Sequence, residues 1–110
     1  MAAVFEVHNM LGPGFSENIY EKALIEEFKR QKIKFSNQHK LEVVFKGKIV
    51  GIHRLDFVIE DKIVLEIKAQ ADLLPIHMMQ IKSYLKSGGY KLGLLTNFGK
   101  EKVEFKRILL

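Results

Sequence analysis

Two carboxylates and a lysine interrupt otherwise apolar, β-branched sequence: Asp56 between Arg54 and Ile59, then Glu66 and Lys68 between Ile63 and Ala69. Side chains alternate across a strand, so Glu66 and Lys68 share a face with Val64, while Ile63, Leu65 and Ile67 take the other. A three-residue loop at Glu60-Asp61-Lys62 pairs Ile59 with Ile63 and sets Asp56 opposite Glu66 and Arg54 opposite Lys68. It also unites Leu55, Phe57, Ile59, Ile63, Leu65 and Ile67 on one apolar face. A two-residue loop turns Asp56 against Leu65 instead. The apolar pattern predicts the longer loop. Opposed Cβ atoms then lie about 5 Å apart, and carboxylates that close repel unless a proton or cation stands between them. Hard oxygen donors suit Mg²⁺ or Mn²⁺, and no sulfur or paired histidine nearby offers zinc its usual ligands. An ion there would polarise a phosphoryl oxygen and acidify a water, with Lys68 steadying that water or the developing charge. The same residues also describe a cross-strand salt-bridge patch, Arg54 with Glu66 and Lys68 with Asp56.

The flanking sequence supplies the elements that must hold these strands. Val4, Val7, His8 and Leu11 recur at helical spacing until Gly12-Pro13-Gly14 breaks the pattern. That first helix has no cap, as if the start of the chain cuts into it. His8, alone on a mostly apolar face, reads as a packed residue rather than a ligand. Ser16 suits the N-cap of a second helix, with Glu17 and Glu21 favoured near its positive end. Tyr20, Leu24 and Phe28 form its buried stripe, which runs to about Gln31. Glu17 stands one turn before Tyr20 and should face the sheet; a solvated first-turn acid fits it equally.

From Ile33 the period becomes two. Leu41, Val43 and Phe45 alternate with Lys40, Glu42, Val44 and Lys46 as far as a turn at Gly47-Lys48. Pro75 suits the first turn of a third helix that Gly88-Gly89 ends. On it Met78, Ile81 and Leu85 form the core stripe, and His77, Gln80 and Tyr84 share an adjacent face. Tyr90 to Phe98 is nearly continuous apolar sequence, as in a strand buried on both faces, and Val103 to Ile108 alternates like an edge strand. His39 and His53 show no partner at ligand spacing. The order helix, helix, three strands, helix, two strands predicts a single α/β domain over residues 1–110 with a mixed sheet.

Asp56 followed by Glu66-Ile67-Lys68 is similar to the D…(D/E)xK signature of the PD-(D/E)XK nuclease superfamily, although Leu55 stands where its name places proline. Gly14-Phe15-Ser16-Glu17-Asn18-Ile19-Tyr20 reads G-x-x-E-x-x-Y, and the chain resembles the small family named after that motif. The likeness extends to Val7-His8, Leu11-Gly12-Pro13-Gly14, Arg54-Leu55-Asp56, Gln80 with Tyr84-Leu85-Lys86, and Gly93 to Gly99. It implies a restriction-endonuclease-like α/β core, a central mixed sheet flanked by helices. It further implies Mg²⁺ or Mn²⁺ on Asp56, Glu66 and the Ile67 carbonyl, with Lys68 as the catalytic lysine. Glu17 matches the acidic residue that often completes the site. Gln80 matches the glutamine after the ExK strand, with a polar packing seam as the plainer reading of that face.

Composition bounds these expectations. The chain has 110 residues, 47% hydrophobic, with 8 Gly and 2 Pro, which argues against a disordered or fibrous chain. It has no cysteine, so disulfides, thiol nucleophiles and thiolate metal sites are excluded. That suits a reducing cytoplasm. No apolar run approaches the roughly 18 residues of a membrane span. Eighteen Lys and Arg against thirteen Asp and Glu give a formal charge of +5, which favours a polyanionic partner such as DNA or RNA. A nucleic-acid-binding or assembly module that turns nothing over fits the same charge. A purely structural homodimer is a third reading, since compact nucleases of this size often need a second copy to span a duplex.

Overall fold

A computed structural model describes residues 1–110. The element order is α1 (Ala2–Leu11), α2 (Glu17–Arg30), β1 (Phe35–Phe45), β2 (Lys48–Ile59), β3 (Ile63–Lys68), α3 (Pro75–Gly88), β4 (Leu92–Asn97) and β5 (Glu104–Leu109). The strands form one sheet in the order β1-β2-β3-β4-β5. Every neighbouring pair is antiparallel except β3 and β4, which run parallel because α3 crosses over between them.

Each helix buries most of the stripe its spacing predicts, with Met78 of α3 only partly buried. Tyr20, Leu24 and Phe28 of α2 join Ala3, Val4 and Val7 of α1 against Phe57, Ile59, Leu65, Ile67 and Leu94 on one face. Ile81 and Leu85 of α3 pack on Leu41, Leu55, Val58, Val64, Leu95 and Ile108 on the other. Leu11 stays at the surface, while His8 is buried and its Nε2 meets the Lys100 carbonyl at 2.8 Å, a packed and satisfied residue. Pro75 opens α3, and Gly89 ends it in the left-handed conformation (φ 76°).

The three-residue turn Glu60-Asp61-Lys62 forms, with Ile59 paired to Ile63. The β1–β2 turn falls one residue earlier than the sequence suggests. Lys46 (φ 47°) and Gly47 (φ 79°) make it, and Lys48 already pairs with Phe45, the two positive φ angles matching the twist of a tight hairpin. Beyond Leu41, which packs on α3, the tip of the long β1–β2 hairpin is exposed. Phe45, expected on an inward face with Leu41, is accordingly exposed.

The expected single apolar face breaks at Asp56. Phe57 packs under α1 and α2, but Leu55, two residues away, packs under α3. Two neighbours on strict alternation would share a face, so β2 rolls over between them. In β1 the same point is marked by Gln38, which has φ 52° and is missing from a register that runs from Asn37↔Phe57 to His39↔Leu55. On the other side the β2–β3 ladder ends at Phe57↔Leu65, so Arg54 and Lys68 never pair across the strands.

Candidate active site

Where that ladder stops, the carboxylates take over its hydrogen bonds. Glu66 Oε2 accepts from the Asp56 N–H at 3.1 Å, and Asp56 Oδ2 accepts from the Ile67 N–H at 2.9 Å. Each side chain therefore satisfies a backbone donor that the interrupted strand pairing at this point leaves free. Asp56, Glu66, Ile67 and Lys68 line one cavity together with Glu17, Glu21, His53, Arg54, His77, Gln80 and Tyr84, with a volume of about 190 Å³. The sequence-predicted residues are thus brought to one place. Neither cross-strand ion pair of the salt-bridge alternative forms. His53 Nε2 instead lies 3.6 Å from Glu66 Oε1.

Elements from both sides of the sheet reach this cavity. Gly12 and Gly14 take positive φ angles of 71° and 110° in the turn that swings α2 into place. The Tyr20 hydroxyl pins that turn, donating to the Gly12 carbonyl at 2.6 Å and accepting from the Phe15 N–H at 3.2 Å. The G-x-x-E-x-x-Y spacing thus acquires a physical meaning: glycine permits the turn, tyrosine locks it, and Glu17 between them stands at the rim of the cavity. Glu21, one turn on, accepts from Asn37 Nδ2 at 2.6 Å and Gln38 Nε2 at 2.7 Å. Asn37 Nδ2 also donates to the Asp56 carbonyl at 2.9 Å. This chain of bonds ties α2 to the point where β1 and β2 distort.

Beyond Lys68 the strand end is fixed by Asn97, fully buried at the end of β4. Its Oδ1 accepts from Gln70 N–H at 2.9 Å and Gly99 N–H at 3.1 Å, and its Nδ2 donates to the Gln70 carbonyl at 2.9 Å. A Cβ at Gly99 would collide with the Gln70 backbone, which explains glycine there. From the α3 side, His77 accepts the Leu74 N–H at Nδ1 (2.9 Å), so its neutral ring carries the proton on Nε2. Tyr84 stacks on His53 with centroids 4.2 Å apart and planes 19° from parallel.

Electrostatics single out Glu66. Burial first, then the hydrogen bond and repulsion from Asp56, push its carboxyl up to about 9, against the opposing pull of the Asp56 N–H and Lys68. Partial burial also raises Glu17, offset by Lys68 and reinforced by Asp56. Tyr84 is raised by burial, then by Glu66 and Asp56. Two carboxyls this close disfavour a second negative charge, which is why burial and Asp56 act on Glu66 in the same direction. In this conformation no three Asp, Glu or His groups converge in ligand geometry, because the two carboxyls are turned onto backbone donors.

Sequence reasoning missed three of these groups. His53 comes near Glu66 where β2 rolls over at Asp56, although the sequence shows no partner for it at ligand spacing. Glu21 reads in the sequence as a dipole-favoured residue and Asn97 as part of an apolar strand, whereas spacing does place His77 on the Gln80 face that lines the cavity. His39 bonds to Ser36 Oγ at 2.9 Å, away from the cavity.

A mixed five-stranded sheet carrying three helices, with the D…ExK residues where two strands part, defines a restriction-endonuclease-like α/β fold. The family model of the PD-(D/E)XK nuclease superfamily matches residues 1–108, and the chain belongs to that superfamily. The crystal structure of SSO0001 is similar in fold, with a TM-score of 0.63 and 24% sequence identity. The match covers 84% of this chain and 48% of that one, so the chain spans about half the length of this relative. No curated protein matches the chain significantly. None of its helices is long and apolar enough to cross a membrane.

Proposed function

We propose that this chain is a divalent-metal-dependent nuclease that hydrolyses phosphodiester bonds in nucleic acid, with the G-x-x-E-x-x-Y group as its place within the superfamily. The observation that carries this reading is the paired Asp56 and Glu66 at the parting of β2 and β3, in one cavity with Lys68. Asp56, Glu66 and the Ile67 carbonyl would hold Mg²⁺ or Mn²⁺, with Glu17 extending the site from α2. The ion would supply Lewis-acid activation of the phosphoryl group and of a water. Lys68 stabilises the negative charge that develops at phosphorus-bound oxygen, and Gln80 orients a ligand from the rim through its amide. Glu66 would hold the cation in its ionised form, and its proton would then pass to solvent. The excess of basic residues favours the polyanionic substrate, and the cysteine-free composition suits a reducing cytoplasm.

One observation favours a second reading, a nucleic-acid-binding or assembly module, with a homodimer as one form of it. The carboxyls are engaged with backbone donors rather than converged on a cation position. Incubation of the protein with labelled DNA and RNA, single- and double-stranded, with Mg²⁺, Mn²⁺ or chelator separates the two. Metal-dependent cleavage that Asp56→Asn and Glu66→Gln both remove, with weaker Mn²⁺ binding in each, supports the nuclease. Salt-sensitive binding without turnover in any metal supports the module.

A further inference from the structure

The cavity contains a ring for which the proposed chemistry has no use. His53 packs face to face on Tyr84, 4.2 Å between centroids, and its Nε2 stands 3.6 Å from Glu66 Oε1. The two oxygens of Glu66 therefore have different neighbours, the Asp56 N–H for Oε2 and the imidazole for Oε1. The final torsion of a glutamate is broad and nearly two-fold, so one hydrogen bond leaves the carboxyl room to turn, and a ring 3.6 Å from its other oxygen, beyond hydrogen-bond distance, restricts that turn by packing and charge. The Glu66 side chain is 9% exposed, so water is a poor substitute for that second contact.

We propose that His53 is a positioning residue for Glu66. It holds Oε1 from the cavity side and thereby sets the carboxyl plane offered to the cation, while Tyr84 sets the ring from α3. Sequence alone could not pair these residues, because strict alternation along β2 gives no reason to expect His53, three residues before Asp56, at the same site. The inference rests on the metal-binding reading above and adds a residue that acts through a ligand. Partners that orient a ligating carboxylate are typically worth roughly ten- to a hundredfold in metal affinity.

The test uses Mn²⁺ calorimetry on the intact chain and ¹³C-carboxyl resonances of the metal-free protein. His53→Ala should weaken Mn²⁺ binding by about tenfold or more. His53→Gln, which can place an amide nitrogen near the position of imidazole Nε2, should restore most of that loss. Tyr84→Phe keeps the stack and should bind like the wild type, whereas Tyr84→Leu should fall toward His53→Ala. The double variant His53→Ala/Tyr84→Leu should be no weaker than His53→Ala alone, because Tyr84 acts through the ring. Unchanged affinity in His53→Ala, or a His53→Gln variant as weak as His53→Ala, overturns the proposal. A wild type that binds no Mn²⁺ would instead defeat the metal reading. The positioning is then judged on the metal-free protein: a Glu66 carboxyl resonance displaced in His53→Ala and restored in His53→Gln supports it, and one that does not move overturns it.

Discussion

Glu66→Gln should stabilise the metal-free protein, and the gain should grow with pH. The carboxyl ordinarily titrates at 4.5 and is held up to about 9 in the folded chain. Below 4.5 both folded and unfolded states carry the proton, and this group contributes no pH dependence. Between 4.5 and 9 the folded state keeps a proton that the unfolded chain releases, so stability falls as pH rises, by about 1.4 kcal/mol per pH unit. At pH 7 the accumulated loss is about 3 kcal/mol, and at pH 8.5 about 5 kcal/mol. Glutamine does not titrate, and its amide can accept the Asp56 N–H and donate to the Asp56 carboxyl. Urea unfolding of both proteins in chelator should therefore give similar midpoints near pH 4.5 and diverge steadily above it. Parallel curves from pH 5 to 8.5, or a glutamine variant weaker throughout, would refute the account. The second result would mean that Glu66 is bound as an anion by a partner whose charge is then left unpaired.

On the metal-binding reading the same proton competes with the cation. Mn²⁺ affinity, followed by calorimetry, should rise with pH below about 9, by up to tenfold per unit, and this slope should vanish in Glu66→Gln. Lys68→Ala should lower metal-dependent cleavage by roughly a hundred- to a thousandfold while leaving Mn²⁺ and nucleic-acid affinity nearly unchanged, as measured by single-turnover assays and anisotropy. Nucleic-acid affinity should fall steeply in an anisotropy titration from low to physiological salt, as expected for lysines and arginines that displace counterions. Asp56→Ala should be less stable than Asp56→Asn by about 1–3 kcal/mol, because alanine strands the Ile67 N–H that the amide oxygen still satisfies. Faster hydrogen exchange at Ile67 in the alanine variant alone would report that lost bond.

Periodicity carried the parts of the fold that bury apolar stripes. The Tyr20-Leu24-Phe28 face, the Glu60-Asp61-Lys62 turn and the run from Tyr90 to Phe98 are each visible because burial imposes a repeat on residue type. The distortion at Gln38 and Asp56 leaves no such trace. Gln38 adopts φ 52° without the glycine that usually announces a left-handed residue, held instead by its bond to Glu21. Leu55 is apolar on either face, so its residue type cannot tell that it belongs under α3 rather than beside Phe57. His53 and Glu21 were illegible for the same reason, since both reach the site through this distortion. Asn97 was illegible because its partners, Gln70 and Gly99, lie in loops with no period to read.

That distortion is also what makes the cavity. A β2–β3 ladder continued past Phe57 would occupy the Ile67 N–H with a strand carbonyl and leave the two carboxyls facing each other across a regular sheet. Two such groups would repel without a donor to turn toward. With the ladder stopped, each carboxyl finds a backbone N–H on the opposite strand, and the gap opens toward α3 and the start of α2. The bonds from Glu21 through Asn37 to the Asp56 carbonyl hold the gap from one side, and the Asn97 clamp holds the chain beyond Lys68 from the other. Irregular strands tend to carry sites because they re-aim side chains that a regular ladder would sequester. Here the re-aiming acts on both sides of Asp56. It turns Leu55 into the α3 core and brings His53 to Glu66, so one local departure from alternation accounts for both the packing surprise and the assembled site.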